Sequence, residues 1–155
     1  MRRNELEITG AGELETLLQG AQVCRLGLSE NNNPYIVPMN FGYKDNCLFF
    51  HCATEGKKLD IIQHNPKVCF EIDTDHEIIK SEERPCKWSA KYRSIIGFGT
   101  AFIIEDLYEK SIAMNVIIEH YGGNRHDFSE GELENVGIIK IQIDSITGKK
   151  AGYKN

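Results

Sequence analysis

Pro34 to Lys58 reads PYIVPMNFGYKDNCLFFHCATEGKK, two strand-like runs that lead into a Gly-Lys-Lys step opening a helix. Gly56 lets the backbone turn sharply and lets a ligand approach exposed N–H groups. In the segment 57–66, KKLDIIQHNP, Leu59, Ile61 and Ile62 recur at helical spacing, and Asn65 before Pro66 marks the end. A helix start favours negative charge, and Lys57 and Lys58 add charge-assisted donors worth roughly 1.5–3 kcal/mol each. An anion, foremost a phosphate, fits that step. The plainer reading is two solvated lysines on a first turn.

Upstream, Pro34 to Tyr43 and Cys47 to Cys52 read as a hairpin joined by Lys44-Asp45-Asn46. Pro38 cannot donate to a ladder and Gly42 packs nothing, so the first strand is an edge or carries a break. Free backbone groups beside Phe41 and Tyr43 suit a flat heteroaromatic ring with polar edges. A proline-interrupted edge strand with no ligand is the alternative.

Outward from this stretch, the spacing predicts a short helix over 12–20, a strand over 23–29 and a turn at 30–34. A strand over 67–74 alternates Val68, Phe70 and Ile72 with Cys69, Glu71 and Asp73. Residues 75–91 read as a long loop closed by Trp88 and Tyr92, the tryptophan serving as a ligand wall or as a core or dimer anchor. A long strand over 92–105 carries Gly97 and Gly99 where a barrel corner needs a bend. A helix over 107–121 ends at Gly122-Gly123, a polar loop fills 123–134, and a last strand over 136–146 precedes a polar tail with Lys149 and Lys150. Six strands and few helices favour a mainly β, antiparallel barrel.

The 155 residues suit a single domain spanning 1–155, with 41% hydrophobic residues for a core and 26% charged residues for a wetted surface. A net charge of −5 argues against nonspecific nucleic-acid binding, which needs a basic face. No apolar run reaches a membrane span and the start lacks a signal-peptide pattern, so a cytoplasmic protein is expected. Five cysteines without a CxxC pair argue against disulfides and structural zinc. Most are expected to be buried. Cys52 sits where a thiol pKa could be lowered, although His51 and Cys52, adjacent on a strand, point to opposite faces and make a poor nucleophile pair. His64, His76, His120 and His126 lack metal-site spacing and read as surface or loop residues.

The order VPMNFGY, LFFHCATEGKK, NPKVCFEID and CKWSAKYRSIIGFG resembles the pyridoxamine 5′-phosphate oxidase-like flavin-binding split barrels, and within them the 5-nitroimidazole antibiotic-resistance branch. The resemblance runs from Arg2-Arg3 to the Ile-Thr-Gly-Lys at 146–149. It implies a six-stranded antiparallel split β-barrel that binds FMN, with FAD as an option, between the subunits of a homodimer. It places flavin contacts on Val37, Pro38, Met39, Asn40 and Phe41, on His51 and Cys52 at the ribityl side, and on Lys57 and Lys58 at the phosphate. Ser94 falls where the oxidases carry a glutamine, and Lys149 near the active site. The oxidases' C-terminal Arg-Leu-x-Pro is absent, which argues against pyridoxamine phosphate as substrate.

The resemblance further implies electron transfer from a reduced nicotinamide to a small nitroaromatic such as a 5-nitroimidazole, with the cofactor carrying the redox chemistry. His51 is a candidate proton donor. The competing reading is a flavin-binding protein without dedicated turnover, acting in storage or redox sensing. A cofactor-free interaction module is a third.

Overall fold

The computed structural model describes residues 3–153, so Arg2 of the Arg2-Arg3 pair lies outside the described residues. Its strands are β1 (Glu7–Ile8), β2 (Cys24–Glu30), β3 (Asn33–Met39), β4 (Gly42–Lys44), β5 (Cys47–Cys52), β6 (Lys67–Ile79), β7 (Ser89–Ile104) and β8 (Gly137–Ala151). The helices are α1 (Ala11–Gly20), α2 (Lys57–His64), α3 (Leu107–His120) and α4 (Glu130–Glu134). All pairings are antiparallel, in the order β3-β2-β6-β7-β8-β5-β4, with β1 on β8.

The two ends of that order, β3 and β4, are separated in sequence only by Asn40 and Phe41. Three Cα steps reach at most about 11 Å, so the sheet must curl until its ends nearly meet. The ends do not pair with each other. The result is a barrel with a split, mainly β as expected.

Eight strand segments replace the six expected. One is β1, added where β8 runs on past residue 146. The other arises because the expected hairpin of Pro34–Tyr43 with Cys47–Cys52 breaks at Asn40–Phe41. Only Gly42–Lys44 pairs with β5, while Asn33–Met39 pairs with β2. Both hairpin loops are two residues long, Asn31-Asn32 (φ 50 and 62) and Asp45-Asn46 (φ 50 and 58). The left-handed conformation of both residues matches the twist of the flanking strands, and Asn and Asp tolerate it. Lys44 therefore stays in the strand.

Leu48, Phe50, Phe70, Ile95, Ile139 and Ile141, on alternate positions of their strands, fill the interior together with Phe41 from the break between β3 and β4. Gly97 leaves room for Phe70: a Cβ there would stand 2.1 Å from the ring's Cζ. At Phe98/Gly99 the β7–β8 register shifts, the bend read from the two glycines.

Three further expectations change. Strand pairing invades the loop expected over 75–91: β6 reaches Ile79 and β7 starts at Ser89, with a bulge at Asp75 (φ 58). The polar loop at 123–134 contains α4, started by a capping box in which Ser129 and Glu132 exchange hydrogen bonds. Lys149 and Lys150 lie in β8, opposite Ser94 and Arg93, rather than in a tail. Cys24 and Cys47 are buried and Cys52 half-buried, whereas Cys69 and Cys86 are exposed. No helix among the described residues is long and apolar enough to cross a membrane.

Candidate functional site

The glycine at the start of α2 adopts φ 133, ψ 163, and no side chain caps the helix. The N–H groups of Leu59 and Asp60 return to the Gly56 carbonyl at 2.8 and 3.2 Å. Those of Lys57 and Lys58 find no partner among the described residues. Nothing within 4 Å would obstruct a Cβ at Gly56, so the approach is open. Two orphan backbone donors follow a bare glycine, and the residues that carry them are both lysines, a donor set that fits a phosphate monoester. The Lys57 ammonium lies 4.6 Å over the Tyr35 ring, which brings the helix start against β3.

Lys58 is partly buried on the side of Cys52. Burial pushes the Cys52 thiol pKa up, and the nearby Lys58 ammonium only opposes that shift. The expectation of an activated thiol is thereby corrected: desolvation outweighs the lysine. His51 is exposed on the other face of β5, so the two side chains form no nucleophile pair.

Along β3, Pro34 and Pro38 have no N–H to give and must occupy positions whose backbone points away from β2. By alternation Ile36 shares that direction, and β3 has no partner on that edge. The main chain of Val37 and Met39 is turned toward β2. The Phe41 N–H donates to Tyr121 Oη at 3.1 Å, and its side chain is fully buried. Of the five residues expected to line a flat ring, Pro38 thus presents its backbone outward within β3, and Asn40 follows it at the break, a narrower strip than the sequence suggested.

The break between β3 and β4 is held by the C-terminal turn of α3. A Cβ on Gly42 would approach Ile117 Cα and N at 2.8 Å, so the helix backbone rests directly on β4. His120, expected at the surface, packs on Phe41 with ring centroids 4.6 Å apart and places Nε2 2.7 Å from the Ala21 carbonyl. Tyr121 Oη donates to the Gln22 carbonyl at 2.6 Å, and the Asn40 amide nitrogen donates to the same carbonyl at 3.1 Å and to Tyr121 Oη at 3.3 Å. Tyr121 and Tyr35 are the two residues of this region that sequence reasoning passed over. The place of Tyr121 at the end of the helix expected over 107–121 does not reveal this role, and nothing local links it to a strand break some 80 residues away.

Ser94 pairs with Asp73 and Lys149 on the outer face of β7. The register sets Pro38, Arg25, Glu71 and Ile96 side by side, so β3 and β7 are three strand spacings apart, about 14 Å along the sheet. One chain does not bring Ser94 beside the β3 strip. Lys149 stands 5.6 Å over the Tyr92 ring, close to Ser94. Arg25 bridges Glu71 and Asp73 on the same face. Trp88 is 47% exposed and donates to the Ser81 carbonyl, so it is not a core anchor.

Two hollows flank the first half of β3. One, about 420 Å³, is lined by Asn31, Pro34, Tyr35 and Lys57 among others. The second, about 580 Å³, is apolar and lies on the outer sheet face between Ile36 and Phe98, floored by Gly27 and Cys69. Ile36 (65% exposed) and Phe98 (56%) leave that face uncovered.

A model of the pyridoxamine 5′-phosphate oxidase family matches residues 11–150. The chain belongs to this family. A solved protein of Bacteroides thetaiotaomicron described as a 5-nitroimidazole antibiotic resistance protein is 32% identical, with a TM-score of 0.82 over 93% of this chain and 86% of that one. This similarity places the chain with the 5-nitroimidazole resistance branch of the oxidase family. A flavocytochrome of Azotobacter vinelandii (14% identity, TM-score 0.83, 99% and 72% covered) shares the fold. So does a FAD- and heme-binding protein of Mycobacterium smegmatis (18%, 0.80, 95% and 74%). No curated protein matches the chain. The strand break, the Gly-Lys-Lys step and the split of the barrel are the features through which the family's sequence order takes shape here.

Proposed function

We propose that the chain binds FMN and acts as an oxidoreductase on small nitroaromatic compounds, with electrons from a reduced nicotinamide. The observation that carries the reading is the start of α2, where two unpaired backbone N–H groups and two lysines meet beside an unpartnered strand edge. Lys57 and Lys58 hold the phosphate, and Pro38 and Asn40 offer backbone to the ring. Family membership and the flavin named in solved proteins of the same fold support the cofactor. The 5-nitroimidazole resistance protein supports the substrate class. When bound, the flavin would supply two-electron transfer, which avoids the nitro radical anion.

The chain's own part is binding, orientation and exclusion of water. His51, exposed at the end of β5, is the candidate proton donor. The apolar outer face around Ile36 and Phe98 is proposed as the seat of a second copy, giving a two-fold homodimer that supplies the missing wall of the ring site and carries Ser94 and Lys149 toward it. The reaction is placed in the cytoplasm, where reduced nicotinamide is held.

The test is turnover by the purified protein reconstituted with FMN. Oxidation of NADH or NADPH that depends on a nitroimidazole and exceeds the rate with free FMN supports the enzyme. Tight flavin binding with only the background rate would contradict it and leave a flavin-binding or redox-sensing protein.

A further inference from the structure

At the break between β3 and β4 the Asn40 carboxamide is locked in one orientation. Its nitrogen donates to the Gln22 carbonyl at 3.1 Å and to Tyr121 Oη at 3.3 Å. Because a carbonyl can only accept, the group facing Gln22 must be the NH₂, which fixes the amide without ambiguity. Tyr121 Oη is the hub of this arrangement: it donates to the Gln22 carbonyl at 2.6 Å and accepts from the Phe41 N–H at 3.1 Å. The neighbouring His120 holds the Ala21 carbonyl, so the end of α3 grips residues 21 and 22 through both side chains. The carboxamide oxygen is left over. Asn40 is exposed, and Oδ1 accepts no hydrogen bond among the described residues.

An isoalloxazine edge carries one N–H, at N3, between two carbonyls. A protein that reads this edge needs an acceptor there, and an amide that could flip would serve the carbonyls equally well. We propose that Asn40 Oδ1 accepts the flavin N3–H, and that Tyr121 is a positioning residue which keeps the oxygen, rather than the nitrogen, turned to the ring. The inference rests on the flavin reading. It adds a specificity element for the pyrimidine edge, separate from the phosphate grip at Lys57 and Lys58. Removing the Tyr121 hydroxyl takes away one of the two acceptors that orient the amide and strands the Phe41 N–H.

Riboflavin and N3-methylriboflavin, titrated by fluorescence into the wild-type chain, Asn40→Ala and Tyr121→Phe, test it. Neither ligand has a phosphate, so the lysines do not enter the comparison. The wild type should prefer riboflavin by roughly fivefold to tenfold, the worth of one hydrogen bond. In Asn40→Ala riboflavin should weaken by about that factor while N3-methylriboflavin changes little, so the preference falls toward one, and Tyr121→Phe, which leaves the Gln22 carbonyl in place, should show a smaller fall in the same direction. A role confined to folding would weaken both ligands alike and keep the ratio. A wild type without preference, or variants that retain it, overturns the proposal while leaving flavin binding in place. A wild type that binds neither riboflavin nor FMN overturns this proposal and the flavin reading together. If Tyr121→Phe does not fold, the ratio in Asn40→Ala decides, since that exposed side chain supports no core.

Discussion

Single residues in this chain divide into those that make room and those that carry charge. Gly97 makes room: its missing Cβ is what lets Phe70, 1% exposed, lie across the barrel interior. Gly97→Ala should destabilise the protein by about 1–3 kcal/mol, read as a lower denaturant midpoint at unchanged slope. An unchanged midpoint would mean that the Phe70 ring can swing aside. Lys57 and Lys58 carry charge. Changing both to alanine should weaken FMN by at least about 100-fold while riboflavin affinity stays nearly constant, measured by fluorescence titration. Equal loss for both ligands would remove the phosphate assignment. The Gly-Lys-Lys step was legible because its logic is local. The fate of Cys52 was not, because the balance between desolvation and Lys58 depends on burial by distant strands.

Among elements, the alternation of Val68, Phe70 and Ile72 and the helical spacing in 57–66 announced β6 and α2; α2 stands where the pattern put it, and β6 starts where expected but runs on to Ile79. The proline-bearing run at 34–43 announced a break but not its consequence. Which neighbour each half pairs with depends on strands that arrive later in the chain, and a period-two pattern is silent on that. The bulge at Asp75 was hidden for a related reason, since its partners lie on β7 and at the C-terminal end. There the Asp75 carboxylate accepts hydrogen bonds from Tyr153 Oη, at 2.9 Å, and from Arg93. These hold its pKa below the usual value, the Tyr153 bond foremost. A carboxyl lowered in the folded state contributes stability above its unfolded pKa and loses it as pH falls through the folded value. The contact of Tyr153 with the bulge should therefore hold from neutrality down to about pH 4 and loosen below it. Hydrogen exchange of the segment around Tyr153 across pH 3–6, corrected for intrinsic rates, checks this. Loosening already at pH 6 would contradict it.

For the whole molecule, strand-rich patterning and hairpin turns made the barrel class readable, and the order of motifs made the family readable. How the barrel closes was beyond that reading. It follows from β3 and β4 lying at opposite ends of the strand order while only two residues separate them in the chain. The outer face with Ile36, Cys69 and Phe98 is a whole-molecule feature of the same kind, assembled by register from four strands. On the dimer proposal, Phe98→Asp should convert a dimer to a monomer in light scattering, weaken flavin binding, and expose Cys69 to alkylation. A wild-type monomer that binds flavin fully would contradict the shared site.

The central claim is that FMN lies along the outward strip of β3 with its phosphate at the start of α2. A crystal structure of the chain with FMN tests it most directly. The account predicts phosphate oxygens within hydrogen-bond reach of the Lys57 and Lys58 backbone N–H groups and the ring beside Pro38 and Asn40. A phosphate bound away from α2, or a ring seated elsewhere on the barrel, would contradict it.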